Sequence, residues 1–372
     1  MRLSDILKKT IQQKQDSSAQ QKSDDQFSLS QQKIKEIFPY QDKVVPQAEK
    51  NLSISVEEVY SKGITLLRIL FKDLNSAKNN IQINDLIEVA KNITKLILIN
   101  NEEILLYTYY STVDSYVYAH SLNVAIYSCV IAVAKKMEIN EIEEVVLCGL
   151  LHDIGMARIL NFVDRKQKFS YKEFEEVKKH SEYVKEEISK LDLSVELKKK
   201  IANVVVKVHE RVDGSGYPLH LTSENIDLYT KIISIADVYE ALSHPRPHRD
   251  RILPHDAIVA IVKQAQSEFD SSLVKIFVDK MSLFPVGSYV KLTTGEIARV
   301  IGTNPSLPVR PKVKIILNSD GTTSKKEEVI DLLENTKISI VEAIDETKLD
   351  IKDKRLLLQI KAQRWWVKDV TI

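Results

Sequence analysis

An apolar segment that ends in two ionisable residues constrains this fold more than any other part of the sequence. Residues 142–151 carry apolar side chains at most positions, and His152 and Asp153 follow directly. A helix that is apolar on most of its faces is buried in the core. Ionisable groups at the end of a buried helix are costly unless they have partners. The fold must therefore bring polar groups or a cation to His152 and Asp153.

Four further residues in the same part of the chain can act as such partners. Residues 102–284 read as nearly all helix, and they contain His120, His180, His209 and Asp237. A lone histidine on an apolar helix is usually a satisfied core residue, and that interpretation holds for each position taken singly. As a set, imidazoles and carboxylates are ligands of first-row transition metals. Two such metals held close together can activate water and bind a phosphate diester.

Composition and charge exclude several other classes of protein. A chain of 372 residues is too long for one ordinary core, so two or three domains are expected. The net charge of +1 gives no support to DNA binding or to a polybasic membrane anchor. The longest apolar run, residues 122–134, is shorter than the ~20 residues of a spanning helix. We therefore expect a cytoplasmic protein without DNA or membrane partners, in which Cys129 and Cys148 are buried apolar residues.

Hydrophobic spacing divides the chain into five segments. Residues 1–50 are polar and are expected to form a disordered arm. Residues 51–104 carry apolar side chains at three- and four-residue steps, which predicts two packed helices ahead of the main domain. The main domain is expected at 105–284. A small β domain with a hairpin is predicted at 285–335, and residues 336–372 are expected to form a tail.

Four short motifs in the helical region match a known pattern. They are Tyr118-Ala119-His120-Ser121, Leu151-His152-Asp153-Ile154-Gly155, His209-Glu210-Arg211 with Asp213-Gly214-Ser215-Gly216-Tyr217-Pro218, and Ala236-Asp237-Val238-Tyr239-Glu240. Together they resemble the HD-GYP phosphodiesterases, a branch of the HD phosphohydrolase superfamily. The resemblance covers about residues 105–284. It implies a mainly α fold: an HD-type helical bundle with N-terminal helices and a small C-terminal β appendage.

The resemblance also implies a reaction and a metal site. The family hydrolyses the bacterial messenger cyclic di-GMP, so the implied function is a metal-dependent phosphodiesterase that yields linear pGpG and, by further cleavage, GMP. Two divalent metal ions, iron or manganese, are implied as cofactors. The implied ligands belong to two sites that share Asp153: His120, His152 and Asp237 complete the first site, and His180 and His209 complete the second.

Cyclic di-GMP is a dianion, and a nearly neutral protein needs local cations to bind it. Arg246 and Arg249 match the family's phosphate-binding pair, and a guanidinium group suits phosphate oxygens. Without the resemblance, both would be interpreted as surface arginines near a proline-rich turn. Tyr217 is implied as a substrate contact. Asp114 is implied as a catalytic residue together with Asp153, and a helix-capping carboxylate is its alternative interpretation.

The sequence departs from the family pattern at three positions. Val208 stands where the family usually has the first of two consecutive histidines, so the second metal loses one nitrogen ligand. Met156 stands where the family usually has a lysine that helps to hold the phosphate. Tyr116 replaces a glutamate that supports a third metal in some members, which favours two metals. Loss of one ligand weakens a metal site, although water can fill the position.

Two hypotheses of different class follow from these residues. The first is a metal-dependent phosphodiesterase acting on a cyclic dinucleotide; nothing in the residue chemistry fixes the identity of the bases. The second is a degenerate HD-GYP domain that binds a nucleotide or a signalling-protein partner without hydrolysis. Val208 and Met156 motivate the second hypothesis. Metal content and turnover separate the two.

Overall fold

The computed structural model describes residues 55–76, 78–110, 116–160, 169–246, 250–265, 267–324 and 328–349, with six further positions between 351 and 360. The arm predicted at 1–50 and residues 361–372 at the end of the tail lie outside these residues, so their predicted character is untested. The described residues confirm the predicted fold class, because a mainly α body is followed by a small antiparallel sheet.

Helices form the body of the protein. Their bounds are α1 Val56–Asn75, α2 Asn84–Ile99, α3 Asn101–Tyr107, α4 Tyr116–Ala134, α5 Ile139–Leu151, α6 Tyr171–Lys178, α7 His180–Ser189, α8 Val195–Val205, α9 Leu228–Ser243, α10 Pro254–Gln264 and α11 Ser271–Met281. The segment 171–191 does not form one continuous helix. The helix is interrupted at Lys179, whose amide bonds back to the carbonyl of Glu176, so that α7 begins at His180.

The helix α4 lies at the centre of the body. Nearly all of its side chains are buried, and it packs against α5, α9, α2, α11 and α1. Among the described residues it is also the one helix with the length and mean hydropathy, 1.6, of a membrane span. However, 83% of that stretch is buried inside the protein. Its apolar character on all faces is therefore that of a core helix.

The first two helices belong to the same core. Phe71 of α1 is fully buried, and its ring meets the ring of Tyr118 edge-on at 5.5 Å between centroids. The hydroxyl of Tyr60, also on α1, donates a hydrogen bond of 2.9 Å to the side-chain oxygen of Asn123. Since Tyr118 and Asn123 both lie on α4, residues 56–99 complete the helical body.

Five strands form the second part of the structure, called here the β unit. They are β1 Tyr289–Leu292, β2 Ile297–Gly302, β3 Lys312–Leu317, β4 Val329–Asp331 and β5 Ile340–Ile344. The strand order is β4-β3-β2-β1-β5, and every neighbouring pair is antiparallel. The predicted hairpin is confirmed as β1–β2, and β3 pairs with its second strand. The segment predicted as a tail after residue 335 contributes β5, which pairs with β1.

Polar and aromatic contacts join the β unit to the helical body. The carboxylate of Glu102, on α3, accepts a hydrogen bond of 3.1 Å from the amide of Thr303. Within the chain that leads from the last helix to β1, the ring of Phe284 stacks on His255 of α10 at 4.7 Å between centroids. The hydroxyl of Ser282 donates to the carbonyl of Pro308 at 2.6 Å. Hydrogen bonds therefore join the β unit to the helical body.

Truncation of Phe71 tests whether α1 is part of the core. Phe71→Ala should lower the free energy of unfolding by about 3–5 kcal/mol, because a large buried side chain leaves a cavity. Ile69→Ala is the matched control on the same helix, since Ile69 is 47% exposed, and it should cost less than about 0.5 kcal/mol. Urea unfolding of both variants provides the comparison. Equal, small losses would show that α1 does not belong to the folding unit.

Candidate metal centre

The end of α5 places His152 and Asp153 at the centre of the site. Both side chains are buried. His152 directly follows the last residue of α5, and its Nδ1 lies 2.8 Å from the carbonyl oxygen of Gly149. The chain then turns toward His180: a Cβ added at Gly155 would lie 2.0 Å from the His180 carbonyl oxygen. Only glycine permits this close approach of the two backbones.

The first cluster consists of His120 from α4, His152, and Asp237 from α9. His120 Nε2 lies 3.1 Å from His152 Nε2 and 3.3 Å from Asp237 Oδ1. Asp153 Oδ2 lies 3.5 Å from His120 Nε2 and 3.6 Å from His152 Nε2. The four residues that the sequence predicts around one metal therefore converge.

The second cluster consists of Asp153, His180 at the start of α7, and His209. His180 Nε2 lies 2.9 Å from His209 Nε2. Asp153 Oδ1 lies 3.3 Å from the His180 nitrogen and 3.8 Å from the His209 nitrogen. The carboxylate of Asp153 thus lies between the two clusters, with one oxygen facing each of them.

The partners of Nδ1 decide which ring nitrogen of each imidazole in the two clusters carries the lone pair. All four histidines hold an oxygen acceptor at Nδ1: a backbone carbonyl for His152 and His180, and a carboxylate for His120 and His209. These oxygens only accept, so Nδ1 donates and the neutral ring carries its lone pair on Nε2. In each cluster two such Nε2 atoms face each other. A proton or a metal cation must lie between them.

In each cluster, the pKa of one histidine is raised and the pKa of the other is lowered. Burial opposes the charge of His120, but Glu240 raises its pKa to about 10, whereas burial lowers the pKa of His152. In the second cluster, the neighbouring carboxylate raises the pKa of His180 against the effect of burial, and burial lowers the pKa of His209. The histidines lower the pKa of both aspartates in spite of burial. Each cluster is therefore built to hold positive charge between ionised carboxylates.

Glu240 is a residue of this site that sequence reasoning missed. It lies one helical turn after Asp237 on α9, is 3% exposed, and accepts a hydrogen bond from Nδ1 of His120. The side-chain amide of Asn123 donates to its other oxygen at 3.3 Å. Burial opposes ionisation of Glu240, but His120 and His244 lower its pKa to about 2. The three-residue spacing from Asp237 was the signal, because residues at that spacing share a helix face.

A second buried carboxylate organises the segment that carries Tyr217. Glu210 is 2% exposed and accepts hydrogen bonds of 2.6 and 3.0 Å from two backbone amides of this segment. A Cβ added at Gly216 would lie 2.4 Å from Glu210 Cα, so the close approach requires glycine. The ring of Tyr217 stacks on His209 at 4.9 Å between centroids, with 18° between the planes. Tyr217 therefore forms one wall of the second cluster.

Arg246 lies just after α9 and faces the carboxylates of the site. Its guanidinium group lies 5.7 Å from the centre of the Tyr116 ring. Burial opposes its charge, but Tyr116, Glu240 and Asp237 raise its pKa. The tyrosine that replaces a family glutamate thus provides a face for the predicted substrate-binding arginine. Cation–π contacts of this kind hold a guanidinium group in place.

The positions that depart from the family pattern lie close to the clusters in the chain. Val208 is fully buried directly before His209, and Met156 is half-buried shortly after Asp153. The second cluster converges without a nitrogen from position 208. Two further predicted site residues, Asp114 and Arg249, lie outside the described residues.

The ring nitrogens of His244 are not available to replace the nitrogen ligand that is missing at position 208. Its Nε2 donates to the carbonyl oxygen of Thr108 at 2.6 Å, and its Nδ1 lies 3.0 Å from the hydroxyl of Ser243. Both ring nitrogens are therefore engaged away from the clusters.

Comparison with protein families identifies the class of this fold. Residues 99–273 match the family model of the HD domain, and residues 289–352 match the model of a KOW domain associated with the HD domain. The first match contains every residue of the two clusters, and the second coincides with the β unit. Residues 99–273, which make up most of the helical body, therefore match an HD domain, and this agrees with the predicted relationship to the HD-GYP branch.

Three proteins with named activities are similar to this chain. The cyclic di-GMP phosphodiesterase PA4108 of Pseudomonas aeruginosa is 30% identical over 226 residues, which are 59% of this chain and 53% of the relative. The cyclic di-GMP phosphodiesterase PdeB of Borreliella burgdorferi is 28% identical over 65% of this chain and 63% of its own length. The 3'3'-cGAMP-specific phosphodiesterase 3 of Vibrio cholerae is 34% identical over 40% of this chain and 32% of its own length. This chain spans less than two thirds of each of these relatives.

Glu240→Gln tests the support of the first cluster. A glutamine can orient His120 Nδ1 through its oxygen but supplies no charge, so the affinity for a divalent metal should fall roughly 10–100-fold. Glu224→Gln is the control, because Glu224 is exposed. Competition with a chelating dye measures the affinity. Wild-type affinity in Glu240→Gln would mean that this carboxylate does not tune His120.

Proposed function

We propose that this protein is a metal-dependent phosphodiesterase that hydrolyses cyclic di-GMP to linear pGpG, with GMP as the product of further cleavage. The observation that carries the proposal is the pair of clusters on either side of Asp153, each with two facing imidazole nitrogens. The names of the P. aeruginosa and B. burgdorferi relatives support cyclic di-GMP as the substrate.

The donor set fits two divalent metal ions, and iron or manganese is proposed. Imidazole nitrogens and carboxylate oxygens are ligands that both metals accept. Asp153 Oδ1 is buried and, within the part of the chain that the structure describes, has no hydrogen-bond partner of normal geometry. The proposed ligands are those of the first cluster with Asp153 for one ion, and those of the second cluster for the other. When bound, such ions activate water and neutralise charge on a phosphate diester.

Other side chains bind and orient the substrate in this proposal. Arg246 supplies a fixed positive charge for a phosphate oxygen. Tyr217 keeps its phenolic proton, because burial raises its pKa, and a phenol can donate a hydrogen bond to phosphate. Asp153 acts as a catalytic residue through its place between the clusters. Asp114, as a second catalytic residue, and Arg249, as a second phosphate ligand, belong to the proposal from the sequence alone.

Elemental analysis together with nucleotide turnover tests this function. Protein purified without oxygen should contain about two metal ions per chain and should linearise cyclic di-GMP. His152→Ala should lose metal, and its turnover should fall more than about a hundredfold because the first cluster loses a nitrogen ligand. His220→Asn is the control, because His220 is exposed and its backbone φ of 54° suits asparagine.

A parallel assay with 3'3'-cGAMP separates the substrates, since a V. cholerae relative is named for that nucleotide. Faster turnover of 3'3'-cGAMP would move the proposal to that substrate. No turnover of either nucleotide by metal-loaded protein, beside an active homologue in the same buffer, would contradict the proposed reaction.

Val208→His tests the missing ligand of the second cluster. An added imidazole beside His209 should raise the metal affinity of this cluster, by roughly tenfold or more, because it supplies a further nitrogen donor. Val208→Leu controls for the volume change at this fully buried position. Titration with manganese compares the three proteins. Unchanged affinity and unchanged stoichiometry would mean that position 208 does not adjoin the second metal.

The second candidate function is a binding module without hydrolysis. The specific observation behind it is that the second cluster has three ligand residues and a buried valine at position 208. In that case the protein would hold one metal or none, and it would bind a cyclic dinucleotide or a signalling protein without turnover. His152→Ala would then leave its cellular effect unchanged.

A further inference from the structure

A buried ion pair ties the chain near Arg246 to the β unit. Arg251 Nη2 lies 2.7 Å from each carboxylate oxygen of Glu346, two residues after β5. The side chains are 15% and 3% exposed, respectively. A buried pair of this kind adds little net stability over apolar packing, because its desolvation is costly. Its main physical effect is to fix the position of Arg251.

A backbone hydrogen bond also joins the residues on either side of the stretch that carries Arg246. The amide of Ile252 donates a hydrogen bond of 3.0 Å to the carbonyl of Leu242. Leu242 and Ile252 therefore lie side by side, and Arg246 and Arg251 both belong to the stretch of sequence between them. Arg251 is the last residue before Ile252, so its ion pair acts directly on one end of this segment.

The short helix Thr108–Tyr110 joins the two flanks of this segment. The carbonyl of Thr108 accepts the hydrogen bond from His244 Nε2 on the first flank. The ring of Tyr109 lies 5.7 Å from the guanidinium carbon of Arg251 on the second flank. Tyr109 also packs against the chain leading into β1, because a Cβ added at Gly287 would lie 2.9 Å from its ring. The β unit therefore supports Arg251 through both Glu346 and Tyr109.

We propose that Glu346 of the β unit is a positioning residue for substrate binding, acting through Arg251 on Arg246. The inference rests on the proposed function, in which Arg246 binds a phosphate oxygen. A binding group must lie within about 0.5 Å of its productive position. The negative charges of Glu240 and Asp237 attract the guanidinium group of Arg246, so without this support Arg246 would shift toward these carboxylates. Loss of the ion pair therefore weakens substrate binding and leaves the two clusters intact.

Three variants test this positioning role. Glu346→Gln leaves Arg251 buried without a counter-charge and can destabilise the fold by that alone. The double variant Arg251→Gln with Glu346→Gln removes both charges, so it separates positioning from the cost of an unpaired charge. Glu342→Gln is the control, since Glu342 is an exposed residue of β5 in the same unit.

Hydrogen exchange and steady-state kinetics provide the readouts. The hydrogen-bonded backbone amides of His244 and Ile252 should exchange at least about tenfold faster in the single and double variants than in the wild type or the control. KM for the cyclic dinucleotide should rise about tenfold, whereas kcat and metal content should stay within about twofold of the wild type. A fall in kcat with unchanged KM would overturn the inference.

The double variant gives the deciding result. Wild-type exchange and wild-type KM in this variant would show that the ion pair is structural only. Faster exchange with unchanged KM would show that the segment does not position a substrate-binding group. If the wild type turns over no cyclic dinucleotide, the proposed reaction is wrong, but the positioning role of Glu346 is still open to test. Nucleotide affinity measured by calorimetry then replaces KM, and equal affinity in the wild type and the double variant overturns the inference.

Discussion

Two pairs of facing imidazole nitrogens are the interaction on which this structure depends. His120 Nε2 faces His152 Nε2 at 3.1 Å, and His180 Nε2 faces His209 Nε2 at 2.9 Å. Since the Nδ1 atom of each of these four imidazoles is engaged with an oxygen, each pair presents two lone pairs to one point, and a proton or a metal cation must lie there. Asp153 lies between the pairs and supplies one oxygen to each. The adjacency of His152 and Asp153 at the end of α5 is therefore the centre of the arrangement.

The rest of the fold keeps these atoms in place. The largely buried helices α4, α5 and α9 form the core around the clusters. His120 lies on α4, Asp237 and Glu240 lie on α9, and His152 directly follows α5. Glu240 connects the first cluster to Asn123, and His244 continues from there to the turn at Thr108. Hydrogen-bonded second partners of this kind orient metal ligands and raise their basicity. The same turn supports the β unit, so the site and the appendage share one network.

The sequence predicts much of this arrangement, and the reasons are physical. Burial of an ionisable pair at the end of an apolar helix singles out His152 and Asp153, because such groups demand partners. The rest of the candidate ligand set is implied by the resemblance to the HD-GYP phosphodiesterases. Alternation predicts the β1–β2 hairpin, but the pairing of β5 with β1 joins residues about fifty positions apart and has no local signal. The break at Lys179 and the ion pair between Arg251 and Glu346 likewise depend on tertiary contacts. Periodicity reports which side chains are buried, not which distant ones they meet.

Anomalous diffraction from crystals of the manganese-loaded protein tests the central claim most directly. Two peaks should appear about 3.5–4 Å apart, one between His120 and His152 and the other between His180 and His209, with Asp153 bridging them. A single peak, or peaks that lie away from these four imidazoles, would contradict the account of two cation sites that share one carboxylate.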